Sequence, residues 1–243
     1  MKIGVISDVH SNIQALRAVL DKFDEEKVDL IICCGDVIGI GINPDEVIQE
    51  LMKRKDKFIS VIGNHEQYFL QGLPKNIHDD KRLMSDLEIQ NHEWNHGRIS
   101  EKSKEFLKTF SMTQSITVEG KKIYVIHYPM KEDGTFKTHI KHPSFSECLE
   151  MFQGIDADIY LYGHTHTYHV NHEDDKWFIN VGSLGCPVGT NMARAGILEI
   201  TKEDVQFKPI TVSYPVEELI EEINQLKFPF YDKILEIFYG VKK

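Results

Sequence analysis

Six short apolar runs punctuate the chain, and most of them end in polar residues. "KIGVI" leads into "SDVH", "DLIICC" into "GD", and "KFISVI" into "GNHE". Further along, "KIYVI" leads into His127, "DIYLY" into "GHTH", and "WFINV" into "GS". The runs are short and rich in Ile and Val, which is typical of buried strands. We therefore predict six strands, five of which deliver an Asp, Asn or His at or just beyond their carboxyl end.

Helical patterns separate the first three of these strands. In "SNIQALRAVLDKFDEEKVD" the apolar residues recur at helical spacing, and Ser11 or Asn12 is placed to cap the start. In "NPDEVIQELMKRKDK" Asn43 is the expected N-cap and Pro44 takes the first helical position. Alternating strands and helices predict parallel pairing with right-handed crossovers. In such sheets ligands gather beyond the carboxyl ends of the strands.

The remaining segments complete a prediction of one domain over residues 1–243. Residues 69–113 are polar and charged, and they predict two or three helices inserted between strands as a helical cap. Later, "MARAGILEIT" and "DVQFKPITV" predict an antiparallel pair. Residues 214–243 predict two amphipathic helices rich in aromatic residues. We expect them to pack on the chain's own core, with a homodimer contact as the alternative.

Composition and charge narrow the class of protein. The chain has 243 residues, of which 41% are hydrophobic and 27% charged, so a folded protein is expected. Its net charge of −10 does not favour nonspecific nucleic-acid binding. No apolar run reaches membrane-spanning length and no signal peptide is recognised, so we predict no membrane association and a cytoplasmic location. The four cysteines lack metal-site spacing and are expected to be free buried thiols, with Cys33 and Cys34 on opposite strand faces.

The strand-end side chains form a distinctive set of potential ligands. They comprise two carboxylates, one amide and four imidazoles: Asp8, His10, Asp36, Asn64, His127, His164 and His166. Nitrogen and oxygen donors without thiolate suit Mn, Fe, Co, Ni or Zn better than Mg or Ca. Seven donors exceed what one catalytic ion with an open position needs. They suit two ions that share a carboxylate, an arrangement that can clamp a phosphoryl group and activate a bridging water.

The motifs "SDVHSN", "GDVIGIG", "GNHE", "VIHY", "GHTH" and "NVGSLG", in this order, resemble the calcineurin-like metallophosphoesterases. The resemblance extends from residue 1 to about residue 200 and is strongest to the small prokaryotic phosphodiesterase branch. It implies an α/β fold, a four-layer α-β-β-α sandwich of two mixed sheets. It also implies metal-dependent hydrolysis of phosphoester bonds with two divalent transition metal ions, Mn or Fe being favoured.

The resemblance further implies a role for each strand-end residue. The first metal would be held by Asp8, His10 and His166. The second would be held by Asn64, His127 and His164. Asp36 would bridge the two ions. A hydroxide shared by the ions would attack phosphorus, while His65 would protonate the leaving oxygen or stabilise its developing charge.

Two departures from the family pattern affect the expected substrate. Many relatives have Gly where this chain has Tyr128, which is therefore a candidate to narrow the site or stack on a base. The "GDVIGIG" motif lacks the Asp and Arg of protein serine/threonine phosphatases, so protein phosphatase activity is not favoured. The sequence does not specify what orients His65. Further candidate substrate contacts are Asn12, with a helix cap as the alternative, and Ser183, with a turn as the alternative.

Other charged or imidazole side chains are weaker candidates. Arg82, Arg98 and Arg194 are candidates for a distal phosphate, without a basis for choosing among them. His169 is expected to lie outside the metal shell. His92 and His96 have i, i+4 helical spacing that could suit a metal, but a solvated helix face is the expected arrangement.

The sequence thus favours a phosphodiesterase for small phosphoester or nucleotide substrates. "GSLGCPVGTNMARAGILEI" is similar to diadenosine tetraphosphatase-like members, so dinucleoside polyphosphates such as Ap4A are included. A phosphomonoesterase is the nearest alternative, and a nuclease is less favoured. The family also includes a retromer subunit that has lost the catalytic histidine and works as a scaffold. Because His65 and all seven candidate ligands are present, a silent scaffold is disfavoured.

Overall fold

The structure, a computed structural model, describes residues 1–74, 83–187 and 190–241. Within these residues the chain forms ten strands and eight α-helices. In chain order they are β1 (Lys2–Ile6), α1 (Ile13–Glu25), β2 (Leu30–Cys33), α2 (Pro44–Met52), β3 (Phe58–Ser60), α3 (Asn64–Gln71), α4 (Asp86–His96), α5 (Glu101–Leu107), β4 (Thr113–Val118), β5 (Lys121–Ile126), α6 (Phe145–Met151), β6 (Ile159–Tyr162), β7 (Tyr168–Glu173), β8 (Lys176–Val181), β9 (Ala193–Ile200), β10 (Val205–Val212), α7 (Val216–Leu226) and α8 (Tyr231–Tyr239).

The strands form two five-stranded mixed sheets, which confirms the predicted α/β fold. The first sheet has the order β10-β9-β1-β2-β3, in which β1, β2 and β3 are parallel. The second has the order β4-β5-β6-β8-β7, in which β5, β6 and β8 are parallel. The predicted antiparallel pair is β9 and β10. Carboxyl ends of parallel strands from both sheets therefore supply the polar residues singled out in the sequence.

Three apolar clusters hold four layers together. One cluster joins the first sheet to α1, α2, α7 and α8, another lies between the sheets, and a third joins the second sheet to α6. Strand β2 shows the alternation that this requires, because Cys33 belongs to the first cluster whereas Ile32 and Cys34 belong to the second. The predicted opposite orientation of the two cysteines is thus confirmed. All four cysteines are buried free thiols.

Local sequence explains how the first helix begins and how closely it packs. The Asn12 side chain accepts a hydrogen bond from Ala15 N at 3.0 Å, which is an N-cap contact. On the buried face, the Phe23 ring lies where β1 has Gly4. A Cβ at Gly4 would approach that ring to 2.5 Å, so the absence of a side chain permits the close packing of helix on sheet.

The described part of residues 69–113 contains the end of α3 followed by α4 and α5. Helix α4 contacts α3, and α5 contacts α2. Ser100, which caps α5, also donates from its hydroxyl to Asp45 Oδ1 at 2.8 Å. These contacts attach the two helices to the edge of the domain that carries the second and third strand-end motifs.

The two predicted C-terminal helices are α7 and α8. Their buried residues, including Leu219, Ile223, Ile234 and Leu235, belong to the first apolar cluster. They pack on the chain's own core, and a homodimer contact stays a prediction. The sequence analysis did not predict β4, α6 or β7. The exposed residues of both strands are polar, whereas α6 also exposes Leu149. Within the described residues, no helix combines the length and apolar character needed to cross a membrane.

Candidate metal centre

The seven strand-end side chains converge at one edge shared by the two sheets. Segments following β1, β2 and β3 bring residues from the first sheet, and segments following β5 and β6 bring residues from the second. Candidate donor atoms from several of them lie within 4.8 Å of one another in overlapping groups. The residues brought together are Asp8, His10, Asp36, Asn64, His127, His164 and His166.

Five of these residues have a left-handed backbone. The φ values are 53° at Asp8, 46° at His10, 54° at Asp36, 72° at His164 and 56° at His166. Such values are uncommon outside glycine, and they cluster at functional sites where surrounding contacts hold them. Here Asp8 N donates to Gly35 O and His10 N donates to Asp36 O, both at 3.0 Å. Backbone hydrogen bonds within the chain therefore hold these loops.

The first group consists of Asp8, His10 and His166. The Nε2 atoms of His10 and His166 face each other at 2.9 Å. Their Nδ1 atoms lie near carbonyl oxygens, 3.3 Å from Ile38 O and 3.1 Å from Cys186 O. Because a carbonyl only accepts, each Nδ1 carries the hydrogen, and two Nε2 lone pairs then converge without a proton between them.

The carboxylate of Asp8 completes this first group. Its Oδ1 lies 3.3 Å from His166 Nε2 and 3.7 Å from His10 Nε2. Burial raises the pKa of Asp8, but attraction to His166 outweighs it and holds the pKa well below its usual range. A buried anion therefore faces two imidazole lone pairs, which is an arrangement that a cation would satisfy.

The second group is built around His127. Its Nδ1 donates to Cys34 O at 2.7 Å, so the Nε2 of the neutral ring presents a lone pair. That Nε2 lies 3.2 Å from Asp36 Oδ2, 3.2 Å from Asn64 Oδ1 and 3.1 Å from His164 Nδ1. Burial disfavours protonation of His127, yet the nearby Asp36 carboxylate raises its pKa to about 9. The site attracts positive charge.

Asp36 lies between the two groups. Its Oδ2 is 3.2 Å from His127 Nε2 in the second group and 3.9 Å from His10 Nε2 in the first. Its Oδ1 accepts a hydrogen bond from His65 N at 2.9 Å. Burial raises the pKa of Asp36, but the imidazoles of His127 and His65 lower it well below its usual range. The donor sets, nitrogen and oxygen atoms around one shared carboxylate, fit two divalent transition metal ions.

His65 lies in the first turn of α3, beside these groups. Its ring centroid is 5.0 Å from that of His10. Its Nδ1 is buried and has no hydrogen-bond partner among the described residues. A Cβ at Gly39 would lie 2.0 Å from this Nδ1, so the ring edge packs directly on the Gly39 backbone. With no acceptor at Nδ1, the hydrogen of the neutral ring is placed on Nε2.

Sequence analysis missed the role of Glu66. This completely buried carboxylate accepts hydrogen bonds from Asp36 N at 2.9 Å, Val37 N at 2.8 Å, Ile38 N at 3.1 Å and Gly63 N at 2.8 Å. It thereby fixes the Asp36 loop to the start of α3. The motif "GNHE" carries this signal, because Glu66 stands three residues after the N-cap residue Gly63, as in a capping box.

Two of the three predicted substrate contacts, Asn12 and Ser183, are buried and have structural partners. The Asn12 side chain caps α1 and donates to Gly185 O at 3.0 Å. The Ser183 hydroxyl donates to Asp8 O at 2.7 Å and accepts from Cys186 N. For both, the structure supports the alternative of a cap or a turn.

Tyr128 requires a correction of the same kind. Its side chain is completely buried, so it neither narrows the site nor offers a face to a base. Its hydroxyl accepts from Ile140 N at 2.9 Å and donates to Thr138 O at 3.2 Å. The ring lies 5.4 Å from His164 and 5.1 Å from His139, so it supports these imidazoles from within the fold.

The other histidines divide into three cases. His169 lies on β7 outside both groups, with Nε2 3.0 Å from Asn171 Nδ2, as expected. The solvated face predicted for His92 is wrong, because His92 is buried with its ring centroid 5.1 Å from that of His65. His139 was not singled out in the sequence, yet its Nε2 lies 2.7 Å from His164 Nε2.

The arginines predicted to bind a distal phosphate either contact other residues or lie outside the described residues. The guanidinium of Arg98 lies 3.5 Å from the ring centroid of Trp94 and donates to its carbonyl oxygen. Arg194 lies on β9 near Tyr168. Arg82 lies outside the described residues.

Residues 1–203 match the calcineurin-like phosphoesterase superfamily domain. The chain belongs to this superfamily. As a calcineurin-like phosphoesterase it is a metal-dependent hydrolase. It is 28% identical to an uncharacterised protein of Methanocaldococcus jannaschii over 93% of both chains. It is also 25% identical to a phosphodiesterase of the same organism, over 84% of this chain and 96% of that relative.

Solved structures show the same fold for this calcineurin-like phosphoesterase. A hypothetical protein from Pyrococcus horikoshii matches with a TM-score of 0.82 at 17% identity, over 100% of this chain and 99% of that one. A metallophosphoesterase from Sphaerobacter thermophilus matches with a TM-score of 0.74 at 23% identity, over 99% of both chains. At these identities the likeness concerns the fold alone.

Proposed function

We propose that this calcineurin-like phosphoesterase is a dinuclear phosphodiesterase that acts on small nucleotide-type substrates. The observation that carries the proposal is the position of Asp36. Its carboxylate faces His127 in one group and His10 in the other, at 3.2 Å and 3.9 Å. A carboxylate shared between two sets of converging lone pairs is the arrangement that two neighbouring cations require.

The proposed ligands keep the roles predicted from the sequence. Asp8, His10 and His166 would hold one ion, Asn64, His127 and His164 the other, and Asp36 both. The family resemblance favours Mn or Fe, and the nitrogen and oxygen donors also suit Zn, Co and Ni. When bound, the ions would lower the pKa of a coordinated water and would neutralise phosphate charge.

The protein's own contribution to the reaction would centre on His65. With Nδ1 against Gly39, the ring presents an N–H at Nε2. Burial holds the pKa of His65 well below its usual range, because desolvation disfavours the imidazolium ion. A neutral imidazole donates a hydrogen bond to the leaving oxygen and so stabilises the charge that develops there.

The substrate class rests on the relatives and on charge. Two of the related proteins are phosphodiesterases, one from Methanocaldococcus jannaschii and one from Escherichia coli. The net charge of −10 disfavours long nucleic acids, which proteins bind with basic surfaces. Small phosphodiesters and, alongside them, dinucleoside polyphosphates such as Ap4A are therefore the proposed substrates. A phosphomonoesterase is the alternative.

A substrate panel in the presence of manganese tests the proposal. It compares bis-p-nitrophenyl phosphate, p-nitrophenyl phosphate, cyclic nucleotides and Ap4A. We expect kcat/KM to be highest for diesters or dinucleoside polyphosphates. Higher values for p-nitrophenyl phosphate would instead establish a monoesterase.

The His65→Ala variant tests the role of the imidazole in the same assay. Hydrolysis should slow by roughly 100-fold or more while metal content stays nearly unchanged. Loss of metal in this variant would contradict the role given to His65. Absence of both transition metal and activity in the wild-type protein would support a non-catalytic scaffold.

A further inference from the structure

Helix α4 contributes a buried amide to the surroundings of His65, although none of the seven candidate ligands lies on this helix. Asn95 is completely buried. Its Oδ1 accepts a hydrogen bond from Gly39 N at 3.1 Å, and its Nδ2 donates to Gly41 O at 2.9 Å. One side chain thus joins both ends of the three-residue turn 39–41.

The turn 39–41 has a backbone that needs such support. Gly39 has φ of +83° and Ile40 has φ of 60°, which is unusual for a β-branched residue. Gly41 N donates to His10 O at 3.1 Å. A Cβ at Gly41 would approach this oxygen to 2.3 Å, so the turn passes close to the segment that carries a candidate ligand. Backbone strain of this kind persists where neighbouring groups hold it.

The turn 39–41 determines where the His65 ring can lie. The Nδ1 edge packs on Gly39, where even a Cβ would be only 2.0 Å away. His92, which precedes Asn95 by three residues on α4, packs near the same ring with centroids 5.1 Å apart and planes at 38°. Helix α4 therefore approaches His65 directly through His92 and indirectly through Asn95 and Gly39.

We propose that Asn95 is a positioning residue for His65. By holding Gly39 against the Nδ1 edge, it directs the Nε2 hydrogen toward the reacting phosphate. Among the described residues no carboxylate hydrogen-bonds His65 Nδ1, and the sequence left the group that orients the ring unspecified. The proposal rests on the proposed role of His65 in phosphoester hydrolysis.

Asn91 provides a matched control on the same helix. It is also a buried asparagine, one turn earlier, but its Nδ2 donates to Pro229 O at 3.0 Å rather than to the turn. Asn95→Ala and Asn91→Ala each remove one buried amide from α4. Only Asn95→Ala frees the turn on which His65 packs.

The first experiment measures kcat, KM and manganese content for both variants. We expect Asn95→Ala to lower kcat roughly 10- to 100-fold with KM and metal content nearly unchanged, because misplacement of a catalytic group has effects of this size. Asn91→Ala should retain kcat within about twofold at a similar loss of thermal stability. Equal losses of kcat in the two variants would overturn the proposal.

A double-mutant cycle separates positioning from general damage. If Asn95 acts through His65, Asn95→Ala should cause little further loss when His65 is already Ala. An undiminished loss in that background would contradict the proposal. Asn95→Asp keeps an acceptor for Gly39 N but removes the donor to Gly41 O. It replaces Asn95→Ala in this cycle if the alanine variant does not fold.

A spectroscopic measurement keeps the inference independent of the reaction. In NMR spectra of the histidine side chains, the ring resonances of His65 should shift in Asn95→Ala and stay in place in Asn91→Ala. Unchanged His65 resonances in Asn95→Ala would refute positioning. If the wild-type protein hydrolysed no phosphoester but these shifts occurred, the proposed function would fail while the positioning contact stood.

Discussion

The backbone N–H of His65 donates to Asp36 Oδ1 at 2.9 Å. The other oxygen of the same carboxylate faces His127 in one donor group and His10 in the other. One buried side chain therefore connects both proposed metal positions with the residue proposed to assist the leaving group. A change at Asp36 should affect metal binding and catalysis together.

Replacing Asp36 with Asn tests this connection. The amide loses the negative charge that both donor groups share, and one of its atoms becomes a donor that cannot ligate. We expect manganese occupancy and hydrolysis to fall together, with activity lower by at least about 100-fold. Elemental analysis and the bis-p-nitrophenyl phosphate assay measure the two quantities. Asp56→Asn, at an exposed aspartate, should change neither. Full occupancy in Asp36→Asn would exclude the bridging role.

Replacing Glu66 with Gln should lower stability more than a surface substitution does. Glu66 accepts four backbone N–H hydrogen bonds, and an amide NH₂ in its place would face donors. A buried donor without an acceptor costs about 1–3 kcal/mol. Urea unfolding should show a decrease of this order in the free energy of unfolding. Glu46→Gln, on the exposed side of α2, is the control and should leave it unchanged.

The pH dependence of stability should report the burial of His92. Burial lowers its pKa to about 4, whereas an unfolded histidine titrates near 6.5. Between these values the unfolded chain binds more protons than the folded chain, so stability falls as pH decreases from about 6.5 toward 4. His92→Gln should make this slope shallower in unfolding experiments across that range. His172→Gln, at an exposed position, should keep the wild-type slope, and an unchanged slope in His92→Gln would show that His92 is not buried as a neutral ring.

His139 should influence metal binding through His164. Its Nε2 lies 2.7 Å from His164 Nε2, on the opposite side of that ring from the donor group. A partner at this nitrogen fixes the ligand ring, and losing such partners typically weakens metal binding by about 10- to 100-fold. We expect His139→Ala to weaken manganese binding in calorimetric titrations by a factor in this range.

Two further variants define the specificity of that effect. His139→Gln keeps an acceptor and should restore part of the affinity. His142→Ala, three residues along the same exposed loop, should bind manganese like the wild type. If His139→Ala also bound manganese with wild-type affinity, the contact with His164 would have no part in metal binding.

The periodicity of the sequence was sufficient to predict the strands and the residues at their ends. "KIGVI" and "DLIICC" are apolar because both faces of these strands are buried, and polar groups that follow such runs must gather at the sheet edge. The antiparallel pair of β9 and β10 followed from the same patterns, whereas the packing of two mixed sheets followed only from the family resemblance. Edge strands β4 and β7 lacked that signal. Strand β4 alternates between exposed and half-buried residues over its first five positions, and β7 is half-buried over its first four residues and exposed over its last two.

Contacts made by α4 could not be predicted in this way. Asn95 meets Gly39 across 56 residues of sequence, and no local pattern indicates that pairing. His92 stands among polar residues in "DLEIQNHEWNH", so its burial depends on where α4 docks rather than on an apolar stripe. Tyr128 and Ser183 followed motif residues, which suggested contact with substrate. The structure instead uses them to support loops, because those positions lie one layer below the site.

The helix α8 lies beyond the 203 residues that match the superfamily domain. Even so, the ring of Phe238 lies 5.7 Å from that of His166, and the Tyr239 hydroxyl donates to Gly185 O at 3.1 Å. The tail of the chain thus borders one of the candidate ligand rings. A substitution of Phe238 would therefore alter the surroundings of His166 while the strands that present the ligands stay the same.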